Sequence, residues 1–363
     1  MKRDEVLHWL REEDEKRLEE LWQWADEVRR KGVGDEVHLR GLIEISNCCV
    51  RQCGYCGLRS GNKKLERYRM NEEEIMACAS RAEGYGYGTV VLQAGEDNGI
   101  GTGWLAGIIR RIKTETRLAV TLSLGERSEK DLWAWRKAGA DRYLLRFETS
   151  DPDLYLFVHP SLPGRESNRL VLLRTLRELG YEAGSGVMIG IPGQTYGSLA
   201  EDIKHFQRLD LDMIGVGPYI PHPETPVGTG EWRRIIPEDE QVPNTEAMTY
   251  KVIALTRIAC PEANIPSTTA LATINLEQGR ELGLMRGANV VMPNLTPQPY
   301  RAKYEIYPSK ACMKETAEDC HICLNRRIEV IGRKIGRDRG DRIHRVEPVR
   351  RQELFSNSFL DGA

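Results

Sequence analysis

The sequence predicts an α/β fold: a complete (βα)8 barrel of the TIM type, with an N-terminal helical extension and a C-terminal extension that carries cysteines. Three observations predict it. Between residues 37 and 292, eight short apolar runs alternate with amphipathic stretches, the pattern of parallel βα units. Eight such units close a barrel, and 363 residues suit one barrel with extensions. Polar and charged residues gather at the C-terminal ends of the runs, where barrels bind ligands.

The elements follow in order. Residues 1–32 place Val6, Leu7, Leu10, Leu18, Leu21, Trp22, Ala25 and Val28 at helical spacing, so two amphipathic helices are expected, ended by Gly32 or Gly34. Strands are expected at 37–45, 89–93, 118–123, 142–148, 185–189, 213–216, 265–270 and 290–292. The first helix of the repeat opens at Asn71 as N-cap, with Glu72, Glu73 and Glu74 in its first turn. Further helices are expected near 104–112, 129–138, 168–179, 199–209, 247–258 and 276–284. The Pro- and Gly-rich stretch 221–243 reads as a long loop. The organisation is therefore a helical extension (1–34), a barrel (35–296), a cysteine-bearing extension (297–345) and a tail (346–363).

Composition narrows the function classes. A formal charge of -2 and a pI near 6.4 give no field for nucleic acid or anionic membrane. No apolar run approaches the roughly 20 residues of a membrane span. The charged start Met1-Lys2-Arg3-Asp4-Glu5 lacks a signal peptide's apolar core. Nine cysteines without an export signal point to a reducing cytoplasm, where clustered thiols serve metals or catalysis. The basic stretch 325–351 alternates with acids and lacks stacking aromatics, so it reads as a solvated face.

Chemistry concentrates after the first strand. Cys49, Cys53 and Cys56 form C-x3-C-x2-C, three thiolates for three corners of a 4Fe-4S cube. Cys48 is a poor fourth ligand, because adjacent side chains diverge. The fourth iron is then open to a small molecule. A zinc knuckle or a disulfide loop is the bland alternative, but no second C-x2-C half or His partner lies nearby. At the other strand ends stand Gln93 and Gly95-Glu96-Asp97, Thr121 and Ser123, Arg146 and Glu148, and Ser267, Thr268 and Thr269. Arg146 and Glu148 inside an apolar run need partners, which a charged ligand supplies. Arg169, early in a helix, suits two-pronged carboxylate binding. Near the end, Cys312, Cys320 and Cys323 form C-x7-C-x2-C, a candidate second iron–sulfur site, 2Fe-2S or 4Fe-4S. Its fourth ligand is water, His321 or an exogenous thiol. Cys78 and Cys260 read as small core residues.

The first cysteine spacing, with Tyr55 before the last Cys, resembles the signature of the radical S-adenosylmethionine (SAM) enzymes, in which the open iron chelates SAM and one electron releases a 5′-deoxyadenosyl radical. Over residues 20 to 345 the chain resembles the HydE family of FeFe-hydrogenase maturases. The marks are Ile45-Ser46-Asn47 and Gly57-Leu58-Arg59 around the cysteine loop, Val91 to Asp97, Thr121 to Glu126 and Asp141 to Arg146. Gly193-Gln194-Thr195, Pro266 to Ala270, Met292-Pro293-Asn294 and the closing cysteine triad complete them. The resemblance implies assembly of the hydrogenase diiron subcluster, by adenosyl-radical attack on the sulfur of an iron complex carrying cysteine, carbon monoxide and cyanide. It implies the maturases HydG and HydF as partners and ferredoxin or flavodoxin as electron donor. It assigns Tyr55, Gly95, Glu96, Asp97, Ser123, Glu148 and Arg169 to SAM and the cluster. Gln93, Thr121, Arg146, Thr268, Thr269 and Tyr304 would line the substrate cavity. One departure is Phe147, where some relatives carry His. Rival readings are a methylornithine synthase-like lysine mutase, a biotin-synthase-like sulfur insertion, and a non-catalytic iron–sulfur scaffold.

Overall fold

The computed structural model describes residues 1–164, 167–313 and 315–343. The expected tail, 346–363, lies outside them, as do residues 314, 344 and 345 of the expected C-terminal extension. Helices α1 (Arg3–Arg11) and α2 (Glu15–Val33) form the N-terminal pair. Asp14 caps α2 by accepting the Lys16 and Arg17 N–H groups, and Gly34 ends it at φ 73°. The alternating part runs β1 (Glu36–Ser46), α3 (Glu72–Gly84), β2 (Thr89–Ala94), α4 (Thr102–Glu115), β3 (Ala119–Ser123), α5 (Glu129–Lys137) and β4 (Arg142–Leu144). It continues α6 (Pro152–Val158), α7 (Arg169–Glu178), β5 (Glu182–Ile189), α8 (Tyr196–Arg208), β6 (Met213–Pro218) and α9 (Glu246–Ala259). Then come α10 (Thr269–Ile274), α11 (Gly279–Met285), β7 (Val290–Val291), α12 (Gln298–Arg301), α13 (Ala317–Val330) and β8 (Lys334–Gly336). The apolar stripe of α1 and α2 (Val6, Leu10, Leu21, Ala25) is buried where these helices pack on α8 and α9.

All strand pairs are parallel, in the order β6-β5-β4-β3-β2-β1-β7, with β8 beside the start of β1. From Val37 to Ser46, β1 is buried at all but one position, as helices on one face and a filled interior on the other require. This is a parallel-strand α/β half-barrel, which corrects the expected complete eight-stranded (βα)8 barrel. The missing strand is the segment expected at 265–270. It meets β7 at one bridge, Pro266 to Val290, and β6 is bridged by Asn264, the residue before it, so no ladder forms. Pro266 has no N–H for a ladder, and Thr268 turns its hydroxyl to the Leu271 N–H to cap α10. The expected fourth strand, 142–148, also stops early, at Leu144. Helices α6, α10, α12 and α13 and the strand β8 have no counterpart among the expected elements.

The C-terminal segment after β8 closes the N-terminal end of the sheet. Fully buried Arg142 pairs with Glu182 and Asp341 and donates to Thr89 Oγ1 (3.0 Å) and the Arg339 carbonyl (2.9 Å). Ligand access is therefore left to the opposite end. No helix among the described residues is long and apolar enough to cross a membrane.

On α8, Asp202 is wholly buried and accepts from the Ser150 N–H (2.5 Å) and Oγ (2.6 Å). Burial pushes its carboxyl up to about 7 from 3.8. The folded state therefore holds a proton that the unfolded chain has lost, and stability falls as pH rises between those values. Asp202→Asn, which keeps an acceptor oxygen, should stabilise the protein at pH 8 by an amount on the order of 4 kcal/mol, at 1.36 kcal/mol per unit, and little at pH 4. Thermal melts at both pH values check this; equal gains at the two would contradict it.

Candidate active site

The cysteine loop begins at a slip in register between Glu44 and Ser46, which bends the chain as β1 leaves the sheet. Backbone bonds then hold it from four sides. Val50 N–H donates to the Glu96 carbonyl (3.0 Å), Gly54 N–H to Val158 (2.8 Å) and Gly57 N–H to Ile306 (3.1 Å), while the Gly54 carbonyl accepts from Val227 (3.0 Å). Cys49, Cys53 and Cys56 line one cavity of 330 Å³ at the C-terminal ends of the strands. Cys48 does not line it; its thiol lies 3.7 Å from the Tyr68 carbonyl.

The three sulfurs suit a cluster better than a single ion. One zinc at about 2.3 Å from each sulfur would draw them to roughly 3.8 Å apart. Among the described residues, only Glu36, His38 and Asp338 bring three metal-binding atoms within 4.8 Å of one another. Burial raises the Cys49 and Cys53 thiols and pushes Cys56 up to about 12, so all three need bound iron to become thiolates.

Around the same cavity stand Tyr55 of the loop, Gln93, Gly95 and Glu96 at the end of β2, and Thr121 and Ser123 of β3. Arg146 and Glu148 after β4, Arg169 at the start of α7, Thr268 and Thr269 at α10, and Tyr304 of the C-terminal extension complete the wall. Asp97 is not brought to it. Its carboxylate is held by Arg69 (2.7 and 2.8 Å), the Ser46 hydroxyl (2.6 Å) and the Gly99 N–H (2.8 Å). The Glu96 carboxylate is engaged by Arg51 (2.9 Å) and by the Glu126 N–H (3.0 Å). Gly95 packs against the cysteine loop, where a Cβ would come 2.3 Å from the Cys48 carbonyl and 2.8 Å from Cys49 Cβ. Gly95→Ala should therefore displace Cys49, costing about 1–3 kcal/mol of stability and much of the iron loading. Iron content per folded protein, measured after reconstitution, checks this; full loading would contradict it.

The cavity wall carries more cations than anions: Arg40, Arg51, Arg146, Arg169 and Lys310 against Glu44, Glu96 and Glu148. Each of these carboxylates has an internal partner. Glu44 pairs with Lys310 and accepts from Asn294 (2.9 Å), and Glu148 lies 3.3 Å from Arg146 and 3.4 Å from the Tyr55 hydroxyl. Among the described residues Arg40 donates to the Met213 sulfur and the Gly340 carbonyl, both at 2.9 Å, and burial pushes its guanidinium down to about 9. Buried Thr121 has no hydrogen-bond partner for its hydroxyl among the described residues, so a polar ligand fits there. Glu148 sits at φ 63°, a strained backbone for a non-glycine residue at a ligand-facing position.

Behind the cysteines lies a buried charged web, of which sequence reasoning singles out Glu96 and Arg169 but not Arg51, Glu126 or His159. Arg51 bridges Glu96 and Glu126, at 2.9 Å each, as ion pairs too poorly aligned for good hydrogen bonds. Glu126 also takes Arg169 Nε (3.0 Å) and the Ser167 hydroxyl (2.5 Å). His159, fully buried, lies 2.9 Å from Cys53 Sγ through Nδ1 and 3.1 Å from Arg169 Nη2 through Nε2. Burial, with Arg169 beside it, pushes His159 down to about 4. Arg51 within the cysteine loop was the one visible signal; His159 follows a seven-residue helix and has no periodic signature.

The second cysteine group lies away from the cavity. Cys312 pairs with Cys320 of α13, which with nearby Arg280 holds the Cys312 thiol well below its ordinary value. Cys323, one turn on, is exposed.

The half-barrel, the C-x3-C-x2-C loop at its ligand-binding end and the charged wall facing it define a radical SAM enzyme. The Radical SAM superfamily model matches residues 43–206. The chain is 47% identical over 331 residues to the FeFe hydrogenase maturase subunit HydE of Thermotoga maritima, covering 91% of each chain. It belongs to the HydE family of FeFe-hydrogenase maturases, whose radical SAM chemistry implies a 4Fe-4S cluster and SAM. It is also 29% identical to the 3-methylornithine synthase of Methanosarcina acetivorans, over 79% of this chain and 78% of that one. The crystal structure of methylornithine synthase (PylB) shares the fold, with a TM-score of 0.75 at 24% identity over 92% of this chain and 94% of that one.

Proposed function

We propose that this enzyme works on an anionic iron complex carrying cysteine, carbon monoxide and cyanide, supplied by HydG, on the way to the diiron subcluster that HydF would receive. The observation that carries this reading is the excess of cations on the cavity wall, Arg40, Arg51, Arg146, Arg169 and Lys310 against Glu44, Glu96 and Glu148. Cys49, Cys53 and Cys56 would hold the 4Fe-4S cluster, which would supply SAM-cleaving electrons from a ferredoxin or flavodoxin and so adenosyl-radical chemistry at the cysteine sulfur.

The chain's own residues bind and orient. Arg169 spends three of its five N–H groups on Glu126, His159 and the Arg146 carbonyl; the other two, without a partner among the described residues, would meet the SAM carboxylate. Ser123, Glu148 and Tyr55 line the same cavity and would contact SAM, with the backbone at Gly95-Glu96 open to its amino group. Arg146, Thr121, Gln93, Thr268, Thr269 and Tyr304 receive the iron complex, matching its negative charge with cations and hydroxyl donors. Cys312, Cys320 and Cys323 would hold an accessory second cluster; Cys320→Ala should leave SAM cleavage within about twofold. Loss of cleavage with the first cluster still loaded would show the terminal site to be essential.

Methylornithine synthase-like chemistry on lysine is the second reading, favoured by the shared fold. It requires a carboxylate for the substrate's ammonium groups, and the pairings of Glu44, Glu96 and Glu148 speak against one. The test is anaerobic turnover of reduced enzyme with SAM and either the HydG-derived iron complex or lysine, followed by mass spectrometry. Consumption of the iron complex with a sulfur-linked adenosyl product is expected; methylornithine from lysine would overturn the reading.

A further inference from the structure

We propose that His159 is a positioning residue for the iron–sulfur cluster: its Nδ1–H donates to the Cys53 sulfur and raises the cluster's reduction potential. The inference rests on the reading that Cys49, Cys53 and Cys56 hold that cluster. Three features of the structure carry it. The first is contact: His159 Nδ1 lies 2.9 Å from Cys53 Sγ, short for a hydrogen bond to sulfur, and both residues are buried, so no bulk water competes.

The second is direction. Arg169 Nη2 lies 3.1 Å from His159 Nε2, and a guanidinium can only donate, so Nε2 accepts. A neutral imidazole with Nε2 accepting carries its proton on Nδ1, facing the sulfur. Glu126 Oε1 is farther from Nε2, at 3.5 Å, and already accepts from Arg169 and Ser167, so it does not reverse the tautomer. An iron-bound cysteinate has no proton and can only accept, which fits the same direction.

The third is rigidity. The His159 N–H donates to the Tyr155 carbonyl (2.7 Å), and the Tyr155 ring lies 5.0 Å from the imidazole, centroid to centroid. The ring is thus held from its backbone, its face and both nitrogens.

One-electron reduction adds a negative charge to the cluster and its sulfurs. A fixed N–H aimed at one sulfur stabilises that state more than the oxidised one. The arrangement resembles the second-sphere donors that orient and tune metal ligands, with Arg169 linking it to the SAM side of the cavity.

The test compares wild type, His159→Phe and His159→Asn as anaerobically reconstituted full-length protein. Phe keeps a ring and removes the donor; Asn returns an amide N–H near the place of Nδ1. Potentiometric titration followed by electron paramagnetic resonance should show His159→Phe harder to reduce by about tenfold in the equilibrium, 59 mV for one electron, with His159→Asn close to wild type. Equal potentials in wild type and His159→Phe, with the cluster fully loaded, would overturn the proposal. So would a potential that Asn does not restore.

A second measurement avoids reliance on the Phe variant's folding. With 15N-histidine labelling, the reduced wild-type cluster should show a nitrogen coupling that is absent from His159→Asn. No coupling in a loaded wild-type cluster, or one retained in His159→Asn, overturns the proposal. Absence of any cubane in the wild type would instead bring down the cluster assignment, and this inference with it.

Discussion

Cys53→Ala is expected to abolish formation of 5′-deoxyadenosine, with the cubane lost from the cavity. Cys53 is the most enclosed of the three cysteines, 8% exposed, and the residue after it is clamped by backbone bonds to Val158 and Val227. No spare thiol is placed to replace it, because Cys48 turns toward Tyr68 outside the cavity. Two cysteines hold a cubane poorly, and without it nothing delivers an electron to SAM. The measurement is quantitation of 5′-deoxyadenosine by mass spectrometry after dithionite reduction. Turnover retained above background in the variant would contradict the assignment of the site.

Arg51→Met should cost about 3–5 kcal/mol of stability at pH 8, because it leaves the buried carboxylates of Glu96 and Glu126 without the cation that joins them. The pH dependence separates this account from a packing defect. Glu126 is held far below its ordinary 4.5: burial opposes ionisation, but Arg169, the Ser167 hydroxyl and Arg51 outweigh it. A carboxyl with a depressed folded value contributes stability above pH 4.5 that is lost as pH falls below it. In Arg51→Met the Glu126 carboxylate can relieve the lost pairing by taking up a proton, so the penalty should be smaller at about pH 4 than at pH 8. Urea unfolding at both pH values reads this directly, and an unchanged penalty would assign the effect to lost packing instead.

What the sequence reveals of this protein is mostly what is local. The cysteine spacing puts three ligands on one loop, and strand ends announce their polar residues, so the cavity wall from Gln93 to Thr269 was readable in advance. Helix starts were readable too, from caps such as Asn71. The segment at 265–270 shows where local reading fails: its β-branched threonines suit a strand, yet the Thr268 hydroxyl caps α10 and Pro266 cannot extend a ladder. For α6 the signals were present, with Asp151 as cap and Pro152 opening the helix, but seven residues are too few to show a period. The web of Arg51, Glu96, Glu126, His159 and Arg169 joins separate loops that only the folded chain brings together. For the same reason Asp97 misled: a triplet at a strand end looks ligand-facing until Arg69 is seen to claim it. Lys310 reaches Glu44 across 266 residues, a pairing no window of sequence displays.

The central claim is that the cluster in the cavity keeps one iron open and that SAM binds there, beside Arg169. It is tested most directly by electron paramagnetic resonance of the reduced, fully loaded protein before and after SAM is added, with 5′-deoxyadenosine measured in the same samples. The account predicts a changed cluster spectrum on SAM addition and formation of 5′-deoxyadenosine. A loaded cluster whose spectrum ignores SAM, with no cleavage product, would contradict it and leave the chain an iron–sulfur scaffold.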